Sequence, residues 1–309
     1  MRRDIEFTSG GETVRGWLYL PEAEGPHPVV VMAGGWCYVK ELVQPHYAEH
    51  IVNAGMAALI FDYRHLGSSD GLPRQHIDPN RQIEDYKNAI TFATKQPELD
   101  ADRLAIWGIS YSGGHVLVVG ATDRRVRAIV SNIPVVDGWE NMRRVHGTVG
   151  FRKLREAIES DRVKRFETGE HGTIAMSTTR VGQEICTWPF PETYEAFNDL
   201  KANEAPAHEH WNTTESTELL LSYSVFPYLS RILDTPTLMV VADDDDLTLW
   251  DKEIEAFNQI ATTDKELFVV PQTKHMTLYS ERTALDIPAA HTAKWLAANL
   301  VGAGEPVPA

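Results

Sequence analysis

The chain is poor in cysteine and short of positive charge. Only Cys37 and Cys186 occur in 309 residues. Two cysteines build no disulfide framework, and neither belongs to a CxxC pair or to a Cys/His cluster at zinc spacing. Basic residues number 29 against 44 acidic ones, for a net charge of −15. No basic stripe is available to neutralise phosphates, which excludes a nucleic-acid binder and argues against an anionic membrane surface as partner. Long apolar runs are missing as well. The opening "MRRDIEFTSGGETVRGWLYLP" has two arginines but no apolar stretch behind them. It reads as neither signal peptide nor membrane span, so a reducing, cytoplasmic setting is expected. There is no internal repeat and no low-complexity segment.

What the chain does have is a rhythm. Asp4 to Thr8 and Arg15 to Leu20 alternate like antiparallel strands joined at Ser9-Gly10-Gly11. "HPVVVMAGGW" is a short β-branched run ending in glycines, as expected of a buried parallel strand. Helical spacing follows over Pro45 to Ala54, then a buried strand in "MAALIFDYR", a turn-rich loop, and a helix over Asn80 to Gln96. Leu104 to Trp107 and Val126 to Ser131 are further strands, with Val116 to Gly120 on a helix between them. This alternation predicts an α/β fold with a mostly parallel, doubly wound sheet. The rhythm lapses over residues 137–234 and returns with "TPTLMVVA", a helix near Trp250 to Ile260, the strand "ELFVVP" and a closing helix from Pro288 to Leu300. An interruption of roughly a hundred residues is too long for a plain loop. We expect a core of residues 1–136 and 235–300, a mostly helical cap over 137–234, and a fraying tail, 301–309.

Ligands in such sheets bind beyond the carboxyl ends of the strands. Gly34, Gly35 and Trp36 follow the first parallel strand. "GISYSGG", with Ser110 and Ser112, follows the third. Asp243 to Asp246 follow "TLMVVA", and His275 follows "LFVVP". Serine, acid and histidine in this order suit a nucleophile-elbow hydrolase. The hydroxyl needs a base, the base needs a carboxylate to fix its tautomer, and the oxyanion needs two main-chain N–H groups.

Ser110 lies two residues past Gly108, where the tight strand-to-helix turn must fall, whereas Ser112 lies where the helix should already have begun. Ser110 is therefore the expected nucleophile, ahead of a serine that merely caps the helix. Asp245 is the expected acid, with Asp244 and Asp246 as one-residue alternatives; the run lacks the glycine and distal glutamate of a calcium loop. His275 is the expected base. His115 should be a satisfied core histidine, and His208 and His210 packing residues rather than metal ligands. The N–H groups of Tyr111 and of Trp36 or Gly35 would form the oxyanion hole. Cys37 reads as a packed residue, with a reactive thiol as the other possibility.

Taken together, "GISYSGG", "FDYRHLGSSDGLPR", "ADDDDLT" and "KHMTLY" resemble the α/β-hydrolase superfamily. The likeness is to its branch of dienelactone-hydrolase-like, acetyl-xylan-esterase-like and Xaa-Pro dipeptidyl-peptidase-like proteins, with fungal polyketide-associated acyl hydrolases and transferases. The resemblance implies Ser110, Asp245 and His275 as the triad. Where that family's oxyanion loop usually reads G-F-G-G-V-K-E, this chain has "GWCYVKE", Gly35 to Glu41. Cys37 and Tyr38 replace two glycines there, which should narrow the acyl pocket. Trp139, Trp188, Phe190 and Tyr194 are cap aromatics that could face a substrate or form the cap's own core. The expected activity is hydrolysis of a small-molecule ester or thioester. Acyl transfer is the alternative, followed by carbon–carbon bond hydrolysis, peptidase activity and non-catalytic binding. No metal or organic cofactor is implied, and a homodimer is left open.

Overall fold

A computed structural model describes residues 1–301. Its sheet has eight strands in the order β1-β2-β4-β3-β5-β6-β9-β10. β1 (Arg2–Ser9) and β2 (Glu12–Tyr19) form an antiparallel hairpin, and β2 also runs antiparallel to β4 (Ala57–Phe61). All later neighbours are parallel: β3 (His27–Ala33), β5 (Leu99–Ile109), β6 (Ala128–Asn132), β9 (Thr237–Ala242) and β10 (Lys265–Val270). The β-branched runs read from the sequence are the central strands, and every residue of β3, β4, β6 and β9 is buried. That is the signature of strands covered on both faces.

Helices supply the covers. α1 (Gln44–Asn53) and α10 (Arg282–Leu300) pack together on the sheet. α2 (Pro79–Ala93) and α3 (Tyr111–Thr122) make a second layer with α7 (Phe226–Leu229) and α8 (Trp250–Gln259). α9 (Thr277–Ser280) is a single turn between β10 and α10. Between β6 and β9 the chain adds α4 (Gly138–Thr168), bent at Gly147, then α5 (Pro191–Asn203) and α6 (Thr214–Leu221). It also adds a two-stranded ribbon of β7 (Thr173–Ala175) and β8 (Trp211–Thr213), which the apolar patterning did not reveal. Three-residue strands leave too short an alternation to read. Of the tail expected to fray, all but Val301 falls outside the described residues.

Candidate active site

β5 ends at Ile109 and α3 begins at Tyr111, so a single residue, Ser110, makes the turn. Its φ of 57° and ψ of −116° lie in a region that costs a non-glycine residue roughly 1–3 kcal/mol. The neighbours over-determine it. Its N–H donates to the Asn132 carbonyl at 2.9 Å, and its carbonyl accepts from Val135 N–H at 3.0 Å. Gly113 and Gly114 allow the helix to approach this closely: a Cβ would lie 2.6 Å from the Asn132 carbonyl oxygen and 2.3 Å from that of Val135, respectively. Although Ser110 occupies the position before the helix, its side chain makes no capping bond. The strain therefore serves to present the hydroxyl, not to close the helix.

Ser112 has a different position. It is fully buried, its hydroxyl is hydrogen-bonded to the Gly34 carbonyl, and the Tyr63 hydroxyl lies 2.6 Å away. It fastens the glycine loop to the elbow and is one turn into the protein.

Of the four aspartates after β9, only Asp245 turns inward. Oδ1 accepts the N–H groups of Leu247 at 2.9 Å and Thr248 at 2.8 Å. Oδ2 accepts the Thr248 hydroxyl at 2.9 Å and lies 2.7 Å from His275 Nδ1. A carboxylate accepts only, so Nδ1 carries the proton and Nε2 keeps its lone pair. The Asn141 side chain on α4 donates to the Leu247 carbonyl at 2.6 Å and holds this turn in place. Behind it Glu253 is fully buried, and burial, reinforced by the Asp245 charge, pushes its carboxyl well above the usual carboxylate range.

Ser110 and His275 border one narrow cavity. The core contributes Trp36, Leu247, Met276 and Tyr279, and the segment between β6 and β9 contributes Met176, Trp188, Thr193 and Phe197. Tyr111 is the first residue of α3, so its N–H has no helical acceptor. The Trp36 N–H has no backbone partner among the described residues. Gly35 lies directly against Ser110: a Cβ there would be 2.9 Å from Ser110 Cβ and 3.2 Å from the Tyr279 hydroxyl.

The loop carrying Gly35 and Trp36 is held from both sides. Lys40 donates its main-chain N–H and its Nζ to the buried Asp62, at 2.6 and 2.8 Å. On the other side Trp36 Nε1 donates to Asn212 Oδ1 at 3.0 Å, and Thr187 donates to that same oxygen at 3.0 Å. Cys37 donates its thiol to the Trp211 carbonyl at 3.3 Å, and burial pushes that thiol well above its ordinary range. Cys37 is a packed residue in this loop, buried with its thiol bonded to main chain. Tyr38 packs edge-on against Tyr279 at 5.9 Å.

The cap aromatics separate. Trp188 lines the cavity. Phe190, Trp139 and Tyr194 do not, nor do Cys37 and Tyr38. Trp139 is 41% exposed and packs on Phe151, and Tyr194 is 39% exposed against His210. Aromatic content announced an apolar wall but not which face each ring takes. Tyr279, Met176, Thr193, Phe197, Leu247 and Met276 were missed. Tyr279 alone left a trace, one helical turn beyond His275. Asn212 had no local signal at all.

Several other histidines have defined partners. His115 is buried between Tyr223 (3.0 Å) and Gln82 (2.9 Å), and burial lowers it to about 3. His208 Nδ1 donates to the Cys37 carbonyl at 3.0 Å, its Nε2 faces His210 Nδ1 at 3.2 Å, and His210 Nε2 meets the Ser177 hydroxyl at 2.6 Å. Two groups of side chains converge closely enough to hold a metal ion: His46, His50 and Asp286, and His76, His171 and Glu215. Neither borders the cavity. Among the described residues no helix is long and apolar enough to cross a membrane.

The X-Pro dipeptidyl-peptidase (S15 family) matches residues 11–277. The chain belongs to the S15 family, on the α/β-hydrolase fold. Among its relatives, the "Thiohydrolase aneE" of Aspergillus aculeatus is 31% identical over 287 residues, covering 90% of this chain and 85% of the relative. The "Polyketide transferase af380" of Aspergillus fumigatus is 26% identical, covering 93% and 94%. A solved structure of DcsB with its substrate analogue superposes with a TM-score of 0.83 at 24% identity, over 98% of this chain and all of the other. Several relatives are named thiohydrolases or polyketide transferases, which implies that this chain is an enzyme related to them.

Proposed function

We propose that this chain is a serine hydrolase that cleaves a thioester or carboxylic ester of a small acyl substrate through an acyl-enzyme. One observation carries this reading: a strained, exposed-to-cavity Ser110 and the Asp245-oriented His275 border the same apolar cavity. Ser110 Oγ attacks the carbonyl and gives its proton to His275 Nε2. The N–H groups of Tyr111 and Trp36, with Gly35 as the alternative donor, hold the oxyanion. Collapse expels the thiol or alcohol, which takes the proton from His275. Water, activated by the same imidazole, then releases the acid. Residues 137–234 act as the cap, supplying the wall opposite the core.

The wall also bears on the substrate. Trp188 Nε1 and the Thr193 hydroxyl are buried without a protein partner. Buried donors are expensive to leave unpaired, so an acyl chain bearing oxygen acceptors fits better than a plain alkyl chain. A dipeptide amino terminus fits poorly. The cavity has no free carboxylate to receive an ammonium, because Asp245 is saturated and hidden.

The similarity to polyketide transferases supports acyl transfer as the second reading. A fluorophosphonate should label the wild type and Ser112→Ala but not Ser110→Ala. Labelling that survives Ser110→Ala would refute the assignment. Turnover of acyl N-acetylcysteamine thioesters, with and without alcohol or amine acceptors, separates hydrolysis from transfer. Cleavage of Xaa-Pro anilides at comparable rates would overturn the ester reading.

A further inference from the structure

We propose that His46, His50 and Asp286 form a binding site for a borderline divalent metal ion, of which zinc is the type, remote from the catalytic residues. His46 and His50 are four residues apart on α1, so both rings leave the same face of that helix. Asp286 meets them from α10, the helix packed against α1. His46 Nε2 lies 3.0 Å and His50 Nε2 3.1 Å from one oxygen, Asp286 Oδ1.

Two features point to a cation rather than to a pair of hydrogen bonds. His50 is positioned to bond Asp286, but His46 Nε2 is buried and out of line, with no hydrogen-bond partner. The spacing also fits. Metal–ligand distances of ~2.0–2.1 Å in a tetrahedral shell place neighbouring ligand atoms ~3.3 Å apart. The two nitrogen-to-oxygen distances need only lengthen by a few tenths of an ångström, and all three ligand atoms lie within 4.8 Å of one another. Two imidazoles and one carboxylate suit zinc or cobalt, not calcium or magnesium, which favour oxygen ligands. Asp286 has a side chain 55% exposed, so water can complete the shell.

The second group carries less. Glu215 is already paired with Arg165 at 2.7 Å and with His171 at 2.9 Å, and His76 Nδ1 is bonded to Thr213 at 3.0 Å.

The site's position gives it a role. α1 follows directly on the loop holding Gly35 and Trp36, and α10 follows on the turn holding His275 and Tyr279. An ion between them braces the two segments that flank Ser110 from the outside.

The test uses the full chain, stripped with a chelator and titrated with Zn²⁺ against a chromophoric competitor. Co²⁺ absorption then reports the coordination geometry. One ion per chain is expected, with tetrahedral Co²⁺ bands and a raised thermal midpoint. His50→Ala and Asp286→Asn should each weaken binding at least tenfold, the scale on which even outer-shell partners matter. Both are at the surface, and near-UV circular dichroism checks their fold. His171→Ala should bind as the wild type does. Absence of binding would overturn the proposal. So would binding indifferent to His50→Ala and Asp286→Asn, or abolished by His171→Ala.

Discussion

Replacing Asp245 with asparagine should cost far more activity than replacing any other aspartate in the run, and should cost almost no stability. Oδ1 receives two main-chain N–H groups, at 2.9 and 2.8 Å, so the amide oxygen of an asparagine must take that position. Its NH₂ then replaces Oδ2, facing the Thr248 hydroxyl at 2.9 Å and His275 Nδ1 at 2.7 Å. The hydroxyl can turn and accept. The imidazole can accept only by moving its proton to Nε2, the nitrogen that must receive the proton of Ser110. The wrong tautomer in an otherwise intact triad costs roughly 10⁴ in kcat, or about 5 kcal/mol of transition-state stabilisation. Turnover of a thioester and the rate of fluorophosphonate labelling should fall together, while the thermal midpoint stays near that of the wild type. Asp243, Asp244 and Asp246 are exposed. Their asparagine variants should stay within about twofold, the usual range for surface changes. If Asp245→Asn keeps more than about a tenth of the activity, or if Asp246→Asn falls as far, His275 is oriented by another group and the tautomer reasoning fails.

Other perturbations test other parts of the site. Gly35→Ala puts a Cβ 2.9 Å from Ser110 Cβ and should lower kcat by about tenfold to a hundredfold at nearly unchanged stability; wild-type kcat would show that the loop does not abut the nucleophile. Ser112→Ala removes a buried hydroxyl shared by Gly34 and Tyr63, and chemical denaturation should show a loss of about 1–3 kcal/mol while fluorophosphonate labelling persists. Asn212→Ala leaves Trp36 Nε1 and Thr187 without their acceptor; it should lower stability by a similar ~1–3 kcal/mol and reduce kcat more than it raises KM. Burial lowers His115 and His208 to about 3 and His210 to about 4, against ~6.5 in the unfolded chain. Below ~6.5 the unfolded state takes up more protons, so stability should be full above that pH and fall as the pH drops towards 4. A thermal midpoint that stays flat between pH 7 and pH 5 would contradict this.

Much of the core was legible because burial on both faces of a parallel sheet demands unbroken β-branched runs. "HPVVVMA" and "TLMVVA" could hardly be anything else, and β3 and β9 are fully buried along their length. Chain order alone places Ser110, the aspartate run and His275 at strand ends. The register within "ADDDDLT" was harder, because four identical side chains differ only in which one the turn after β9 directs inward. The inserted segment was legible in outline only. α4 runs from Gly138 to Thr168 and bends at Gly147. Trp139 and Trp188 look equivalent as sequence, yet one packs on Phe151 near the surface and the other on Trp36 at the cavity. Asn212 was invisible, because its importance arises from Trp36, Thr187 and Thr217 meeting in space, and no local pattern encodes that.

That meeting at Asn212 changes what the inserted segment can be. A lid that swings as a body must break its contacts with the core each time it opens. Here β8 and the residues just before it are fastened to the loop carrying Gly35 and Trp36 by buried and partly buried bonds: Trp36 Nε1 to Asn212, Cys37 to the Trp211 carbonyl, and His208 to the Cys37 carbonyl. Each buried group would be left unpaired on separation, at about 1–3 kcal/mol apiece, which makes whole-body opening too costly for routine turnover. α5 is held differently. Its links to the turn and helix beyond β10 include the exposed pair of Lys274 with Glu192, and Arg282 pairs with Glu204 just past its end. Exposed pairs of this kind are worth about 0–1 kcal/mol each. α5 carries Thr193 and Phe197, two of the cavity's walls. The segment is therefore tied to the loop carrying Trp36 by buried polar bonds, whereas α5 rests on the apolar burial of Phe197 and Leu200, with only exposed ion pairs added.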